Sequence, residues 1–503
     1  MTAIDPAIPA APHLRQNVLG TGGIVFLVVA AAAPLTVMAG VAPLAILVGG
    51  VGAPGGYLGA GLVLVIFAIA FTSMTRHVDA AGAFYAYIAR GLGKPAGLAA
   101  ALLALMSYAT LQIGVYGLLA SQTQATLVDV FHVHLQWPVI AVIGIAVVTL
   151  VCWYGIEIGA RLLGVLLVAE SLILLVMALA IVTQGGASGL DLASFKPSAL
   201  TGPGMAAILG LCFAAFMGFE STAIYRGEAR DPERTVPRAT YVAVGFMAVF
   251  YCFIAWTAVE AFGADKVQGA AAADLPGMFF TIITTYVGSW AATLMHLLII
   301  TSVVASQIAF HNAVTRYALA LSADGALPAW LGRVHPRHCS PTTAGLVQSL
   351  LAVITVVAFA VAGADPFTGL LVWVNTPGVV GILILQILTA VAVVVFFVRG
   401  RGLDRRLVAI VAGALAAVLL SFGTYLLAKH IDLLTGTKST WNWVVLGLVP
   451  GVLAAGFGFA EWMRPHRPEV LAAIGQGPAS GSTGESVGIV QDPTIATGTA
   501  QAR

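Results

Sequence analysis

The chain has 503 residues, 59% of them hydrophobic and only 9% charged, with a formal net charge of +2. A soluble domain carries about 25% charged residues, so this composition excludes a soluble globular fold. A mean hydropathy of +0.98 points the same way, to a polytopic all-helical membrane protein.

In chain order, residues 1–20 lack the layout of a cleavable signal and are expected to be a cytoplasmic N-terminal segment before a retained first helix. Twelve apolar runs follow, at 24–48, 56–74, 96–119, 138–152, 161–183, 202–223, 239–262, 285–321, 342–362, 368–398, 407–428 and 441–461. A bilayer needs about 20 apolar residues; most of the runs reach that, and the eighth is long and turns polar towards its end. With the N-terminus inside, the outer segments hold only Lys196, Lys266, Lys429 and Lys438 of the 23 lysines and arginines. A miscounted helix would spoil that asymmetry, so twelve transmembrane helices with both ends cytoplasmic are predicted. The twelve-helix body is expected over 21–465, and a disordered cytoplasmic tail over 466–503, rich in Gly, Ser, Thr and Ala.

Spans one and six are interrupted. The first, VFLVVAAAAPLTVMAGVAPLAILVGG, holds Pro34, Gly40 and Pro43; the sixth, AAILGLCFAAFMGFESTAIY, holds Gly218. Proline has no N–H and its ring clashes with the carbonyl four residues back. Backbone freed at membrane depth must line a cavity or be buried in protein. Spans one and six each open one half of a five-plus-five division, about 21–183 and 202–398, with two extra helices over 407–461. Matched interruptions in two halves point to a transporter's binding site.

Two carboxylates lie well inside spans, Glu170 in the fifth and Glu220 in the sixth. Intramembrane acids are functional candidates by default. Glu220 stands two residues past Gly218, near the start of a half-helix whose dipole favours the anion, while desolvation favours the neutral acid. A group pulled both ways suits proton binding and release; a structural hydrogen bond across the break is the alternative. The four cysteines show no CxxC pairing, and neither metal nor cofactor is expected. The basic inner loops are short and mixed in sign, which reads as topology rather than nucleic-acid binding. The charged run from Arg226 to Arg238 either locks an inner gate or is solvated. Neither HExxH nor a nucleophile motif argues for an enzyme, no charged ring for a channel, and no P-loop for ATP drive.

GFES (218–221) with EARDPERTVPRA (228–239), AAGAFYAYIARGLGKPAG (80–97) and TRYALALSADGALPAWLGRVHPRHCSPTTAG (315–345) together resemble the amino acid–polyamine–organocation permeases, over about residues 15–465. The resemblance implies a five-plus-five inverted repeat, the leucine-transporter-type fold, with helices one and six unwound around a midplane site. It implies movement of amino acids, polyamines or related amines by proton symport or exchange. Sodium coupling is the runner-up, since hydroxyls on helix eight could ligate the ion, and a monomer or homodimer in the cell membrane is expected.

A zwitterionic amino acid needs N–H donors for its carboxylate and oxygens for its ammonium. The backbone around Ala32, Ala33, Leu35 and Thr36 is the expected carboxylate site. That around Phe216, Met217 and Gly218 is the expected ammonium site. Relatives often carry a Gly-Ser-Gly run at the first break; here Ala32, Ala33 and Pro34 stand there, so one donor is missing and amines or other amino acids come into play. Ser107, Tyr108 and Gln112 fall where relatives line the pocket, or else hydrogen-bond between helices. Helix eight offers Ser302, Ser306, Gln307, His311 and Asn312, of which Ser302 and Ser306 share a face and either approach helix one or pack between helices, and Trp373 either caps the pocket or anchors at the membrane interface. Glu170 stands where many relatives carry a lysine, so its coupling role, with Glu220 the other candidate, reverses the usual sign of charge.

Overall fold

All twelve apolar runs are helical, and the two interruptions fall at the proline and glycine positions. The computed structural model describes residues 19–475 apart from 76, 79–82, 155–159, 336, 337, 339 and 401–405; at 31, 83, 160–163 and 224–228 it describes backbone only.

Span one begins as α1 (Thr21–Ala32) and stops at Ala33, whose φ of 48° is left-handed. Pro34 cannot continue the ladder. The chain resumes as a π-helical turn, Thr36–Val41, and then α2 (Ala42–Gly49). Gly50, at φ 61°, turns the chain into α3 (Ala53–Met74). Next come α4 (Ala83–Leu92), the long α5 (Lys94–Phe131), α6 (Trp137–Trp153) and α7 (Ala160–Gln184). A short α8 (Pro197–Leu200) leads into span six.

Span six is α9 (Pro203–Ala214), then turns over 215–218 with Gly218 at φ 109°, then a 3-10 segment, Phe219–Glu228. After it run α10 (Pro232–Phe262), α11 (Val267–Ala273), α12 (Met278–Tyr286), α13 (Ser289–Ala323) and α14 (Thr342–Val361). The eighth apolar run is therefore divided: Gly288, at φ 129°, separates the end of α12 from α13. A second π turn, Pro366–Leu371, opens the tenth span. Asp365 caps it, accepting from the N–H groups of Phe367 and Thr368 at 2.9 and 2.7 Å. It continues as α15 (Val372–Val398), followed by α16 (Arg406–Lys429), α17 (Ile431–Thr435), α18 (Trp441–His466) and α19 (Pro468–Ala473).

Ten helical stretches among the described residues are long and apolar enough to cross a membrane. One of them, Thr36–Met74, joins the second part of span one to span two, while α1 and α6 are shorter. With apolar side chains such as Val361, 84% exposed, on the outer surface, the chain is a multi-pass membrane protein. Where a disordered tail was expected from 466, α19 packs back against α5, and Lys94 Nζ donates to the Ile474 carbonyl at 2.6 Å. Burial beside this segment pushes the Asp324 carboxyl up from its ordinary range, against the pull of the Gly475 N–H and Lys94. Residues 476–503 lie outside the described residues.

The helix α5 is central, packed on α13, α15 and α18, while α3 packs on α10. Helices in lipid gain from close backbone approach at small residues. A Cβ at Gly117 of α5 would stand 2.2 Å from the Pro366 carbonyl, and one at Gly114 would stand 2.9 Å from Asn375 Cβ. These two glycines let the π turn and the start of α15 press onto α5, which fixes Asn375 beside the two breaks.

Candidate functional site

The two breaks face one cavity of about 90 Å³. Ala32 and Thr36 of span one and Ala214, Ala215 and Met217 of span six line it. It extends towards the end of the bundle that holds α17, where Leu434 borders it. Most of its wall is apolar, including Leu111, Val115, Leu118 and Phe310, and its polar members are Thr36, Ser306, Asn375 and Thr376. Both π turns contribute to the wall, through Thr36, Val37 and Val41 and through Leu371. A π turn offsets the hydrogen-bond ladder by one residue, and such turns recur at functional sites.

Each break carries one buried carboxylate. At span six, Glu220 is 1% exposed; its Oε2 accepts from the Gly218 N–H at 2.9 Å and its Oε1 from the Tyr108 hydroxyl. The glutamate thus folds back over its own break and ties it to α5. The rings of Tyr108 and Tyr317 stack at 5.6 Å. Phe219, just past the break, meets Phe67 and Phe71 edge-on at 6.0 and 6.5 Å. None of these rings lines the cavity, so the far side of the breaks is filled by packed aromatics.

At span one, Glu170 of α7 is 3% exposed. Its Oε2 accepts from Ser302 Oγ at 2.8 Å, and the Leu35 N–H donates to the same carboxylate. Ser302 in turn accepts from the Thr36 N–H at 3.3 Å and the Thr36 hydroxyl at 2.8 Å. Spans one, five and eight are therefore joined by one short chain of hydrogen bonds at the break. Among the described residues no lysine or arginine is buried alongside these acids.

Of the residues expected to line a site, Ala32, Thr36 and Met217 border the cavity. Ala33 and Leu35 form the break in span one, and Gly218 that in span six. Phe216 is fully buried and packs edge-on against Tyr251 at 5.7 Å. The carbonyls of Phe216 and Gly218 accept from the N–H groups of Phe219 and Ser221. Ser107 donates to the Leu103 carbonyl at 2.7 Å and lies under Gly381. Gln112 is held between Tyr116 and His311, at 3.3 and 3.1 Å. On helix eight, Ser306 lines the cavity and Gln307 donates to the Gln112 carbonyl.

Asn375 and Thr376 were not singled out in the sequence. The signal was present: an Asn-Thr-Pro triplet inside an otherwise apolar span, a polar amide where lipid-facing packing needs none. In the charged run after span six, the described contacts include a surface pair, Arg234 and Asp231, at 3.6 Å, and the Arg230 N–H donating to the Leu19 carbonyl at 2.8 Å. The side chains of Arg226 and Glu228 lie outside the described residues.

The family described as amino acid permease matches residues 19–452. Over 177 residues, 34% of this chain and 38% of the relative, the sequence is 32% identical to an uncharacterized transporter of Mycobacterium tuberculosis. Over 186 residues, 35% and 36% of the two chains, it is 30% identical to the lysine-specific permease LysP of Lactococcus lactis. Over 85 residues, 17% and 18%, it is 39% identical to a cadaverine/lysine antiporter of Escherichia coli. In each case the match spans well under half of the relative's length. The family match, by contrast, runs through both breaks and nearly every apolar helix, and the chain belongs to the amino acid permease family.

Proposed function

We propose that this protein is a secondary active transporter of amino acids or related amines in the cell membrane. Twelve helices cross the bilayer with both ends cytoplasmic, ten of them forming a five-plus-five inverted repeat. The observation that carries the reading is the meeting of two broken helices at one cavity, each break closed by its own buried carboxylate. Family membership and the relatives named for lysine and cadaverine support the substrate class.

The asymmetry of the site supports alternating access. The cavity leads towards one face, while stacked aromatics fill the other side of the breaks. Glu220 is the proposed proton carrier. Ionised, it accepts from both Gly218 and Tyr108. Protonation at Oε1 reverses the bond to Tyr108, the acid O–H then donating to the phenol oxygen and releasing the phenol proton, so the tie between span six and α5 is rearranged. Glu170 is the second candidate, since protonation there disturbs the Leu35 and Ser302 bonds that hold span one. Proton symport is favoured because a carboxylate already engages Ser302, the helix-eight hydroxyl best placed at the break.

The test is uptake into liposomes containing the purified protein, with labelled amino acids and amines, under imposed proton or sodium gradients. Accumulation driven by a pH gradient is expected. Accumulation driven by sodium alone overturns the proton reading, exchange without net uptake overturns symport, and no movement of any of these solutes overturns the transport reading.

A further inference from the structure

The expected carboxylate cradle of span one is already filled. The Ala33 N–H donates to the Val29 and Ala30 carbonyls at 3.1 and 3.2 Å. Pro34 has no N–H. The Leu35 N–H donates to Glu170. The Thr36 N–H donates to Ser302 Oγ, whose own proton goes to Glu170. The Val37 N–H donates to the Ala33 carbonyl at 3.1 Å. From Ala33 to Val37 no backbone donor is left over for a ligand. The anion that a helix start favours is present, but it belongs to the protein.

The cavity wall gives an independent indication. Its charged groups are nil among the lining residues, so nothing there neutralises a ligand's carboxylate. Thr36 and Thr376 have committed their hydroxyl protons, to Ser302 and to the Val372 carbonyl, and present oxygen lone pairs. Asn375 Oδ1 is buried without a hydrogen-bond partner. Acceptor oxygens thus stand on three of the four polar wall residues, alongside the Ser306 hydroxyl and the Asn375 amide N–H groups, and a ligand that matches this wall brings N–H donors and an apolar body. A carboxylate placed at the break would instead compete with Glu170, which already engages Ser302 and the Leu35 N–H there, and like charges in a poorly screened site repel strongly.

We propose that the protein selects organic amines that lack an α-carboxylate, and that Glu170 is the specificity-determining residue that excludes α-amino acids. The amine's ammonium sits against the acceptor oxygens of Thr36, Asn375 and Thr376, and its alkyl or aryl body fills the wall of Leu111, Val115 and Phe310. This inference rests on the transport reading above and narrows its substrate class. Specificity here is a built-in repulsion as much as an attraction.

The test uses pairs that differ only by the carboxylate: leucine and 3-methylbutylamine, phenylalanine and phenethylamine, lysine and cadaverine. Binding to the full chain in lipid nanodiscs and uptake into proteoliposomes are measured for each member. The wild-type protein is expected to prefer the amine by about tenfold or more in at least one pair. In Glu170→Ala the Leu35 N–H and Ser302 are freed for a ligand's carboxylate, and the amine preference is expected to collapse to about threefold or less. Amino acids bound as tightly as their amines by the wild-type protein overturn the proposal. So does a Glu170→Ala variant that folds and keeps the full preference. If that variant does not fold, the wild-type comparison decides alone. If an amino acid is transported in preference, only this inference fails; if neither member of any pair binds or moves, the transport reading fails with it.

Discussion

Glu220→Gln is expected to leave the protein folded while lowering uptake driven by a pH gradient by about 100-fold or more, a loss of coupling worth roughly 3 kcal/mol. The amide is nearly isosteric and its oxygen still accepts from the Gly218 N–H. It cannot gain or lose a proton in the working pH range, so the tie between span six and α5 can no longer be switched. Glu220→Ala is expected to behave differently. It strands the buried Gly218 N–H and the Tyr108 hydroxyl, each at about 1–3 kcal/mol, and the melting temperature in detergent falls as well as transport. The contrast separates a proton carrier from a structural hydrogen bond. A Glu220→Gln protein with wild-type gradient-driven uptake would falsify the coupling role and leave Glu220 as a cap on the break.

Gly218→Val is expected to abolish most transport by acting on the backbone. At φ 109° an L side chain is strained, by about 1–3 kcal/mol, and a β-branched residue sits at the upper end. The strain is relieved if the chain moves towards an ordinary helix, which takes the Gly218 N–H away from Glu220 and closes the break that borders the cavity. Uptake should fall by about tenfold or more, matching roughly 1.4 kcal/mol lost from the productive geometry. Gly245→Ala is the control. It lies in α10 with open space where its Cβ would stand, and its φ is not positive, so alanine there should be neutral or slightly stabilising. Equal effects of the two substitutions on transport would show that the φ of Gly218 is irrelevant to the site.

Much of this was legible in the sequence. Proline at 34 and glycine at 218 mark the breaks because each removes or frees a backbone group that a membrane helix must otherwise satisfy. The two acids stood out for the same reason: a carboxylate in hydrocarbon needs partners. What those partners are was not legible. Glu170 meets Ser302 across 132 residues of chain, and helical periodicity carries no information on which neighbour a face will meet.

Helix α5 shows the limit most clearly. Tyr108 and Gln112 share a stripe, as their spacing predicts, but that stripe turns to Glu220 and His311. The cavity meets the adjacent stripe of Leu111, Val115 and Leu118, about 60° round the helix at 100° per residue. A pattern fixes relative positions on a helix, while its rotation about the axis is set by packing. Here Gly114 and Gly117 set it, by admitting the π turn and α15 so closely. The same contact explains why Asn375 borders the cavity, a role that a polar amide in a mostly apolar span only hinted at.

The central claim is that the cavity between the two breaks is where the transported molecule binds. The most direct test places a cysteine at Ala214, which lines the cavity, and another at Val361, on the outer surface. Both are built in a background with Cys152, Cys212, Cys252 and Cys339 replaced by alanine. Labelling by a small thiol reagent is timed with and without a transported solute at about ten times its Kd. Occupancy should slow labelling at position 214 by about tenfold and leave position 361 unchanged. An unchanged rate at position 214, in a protein that still transports the solute, would place the binding site elsewhere.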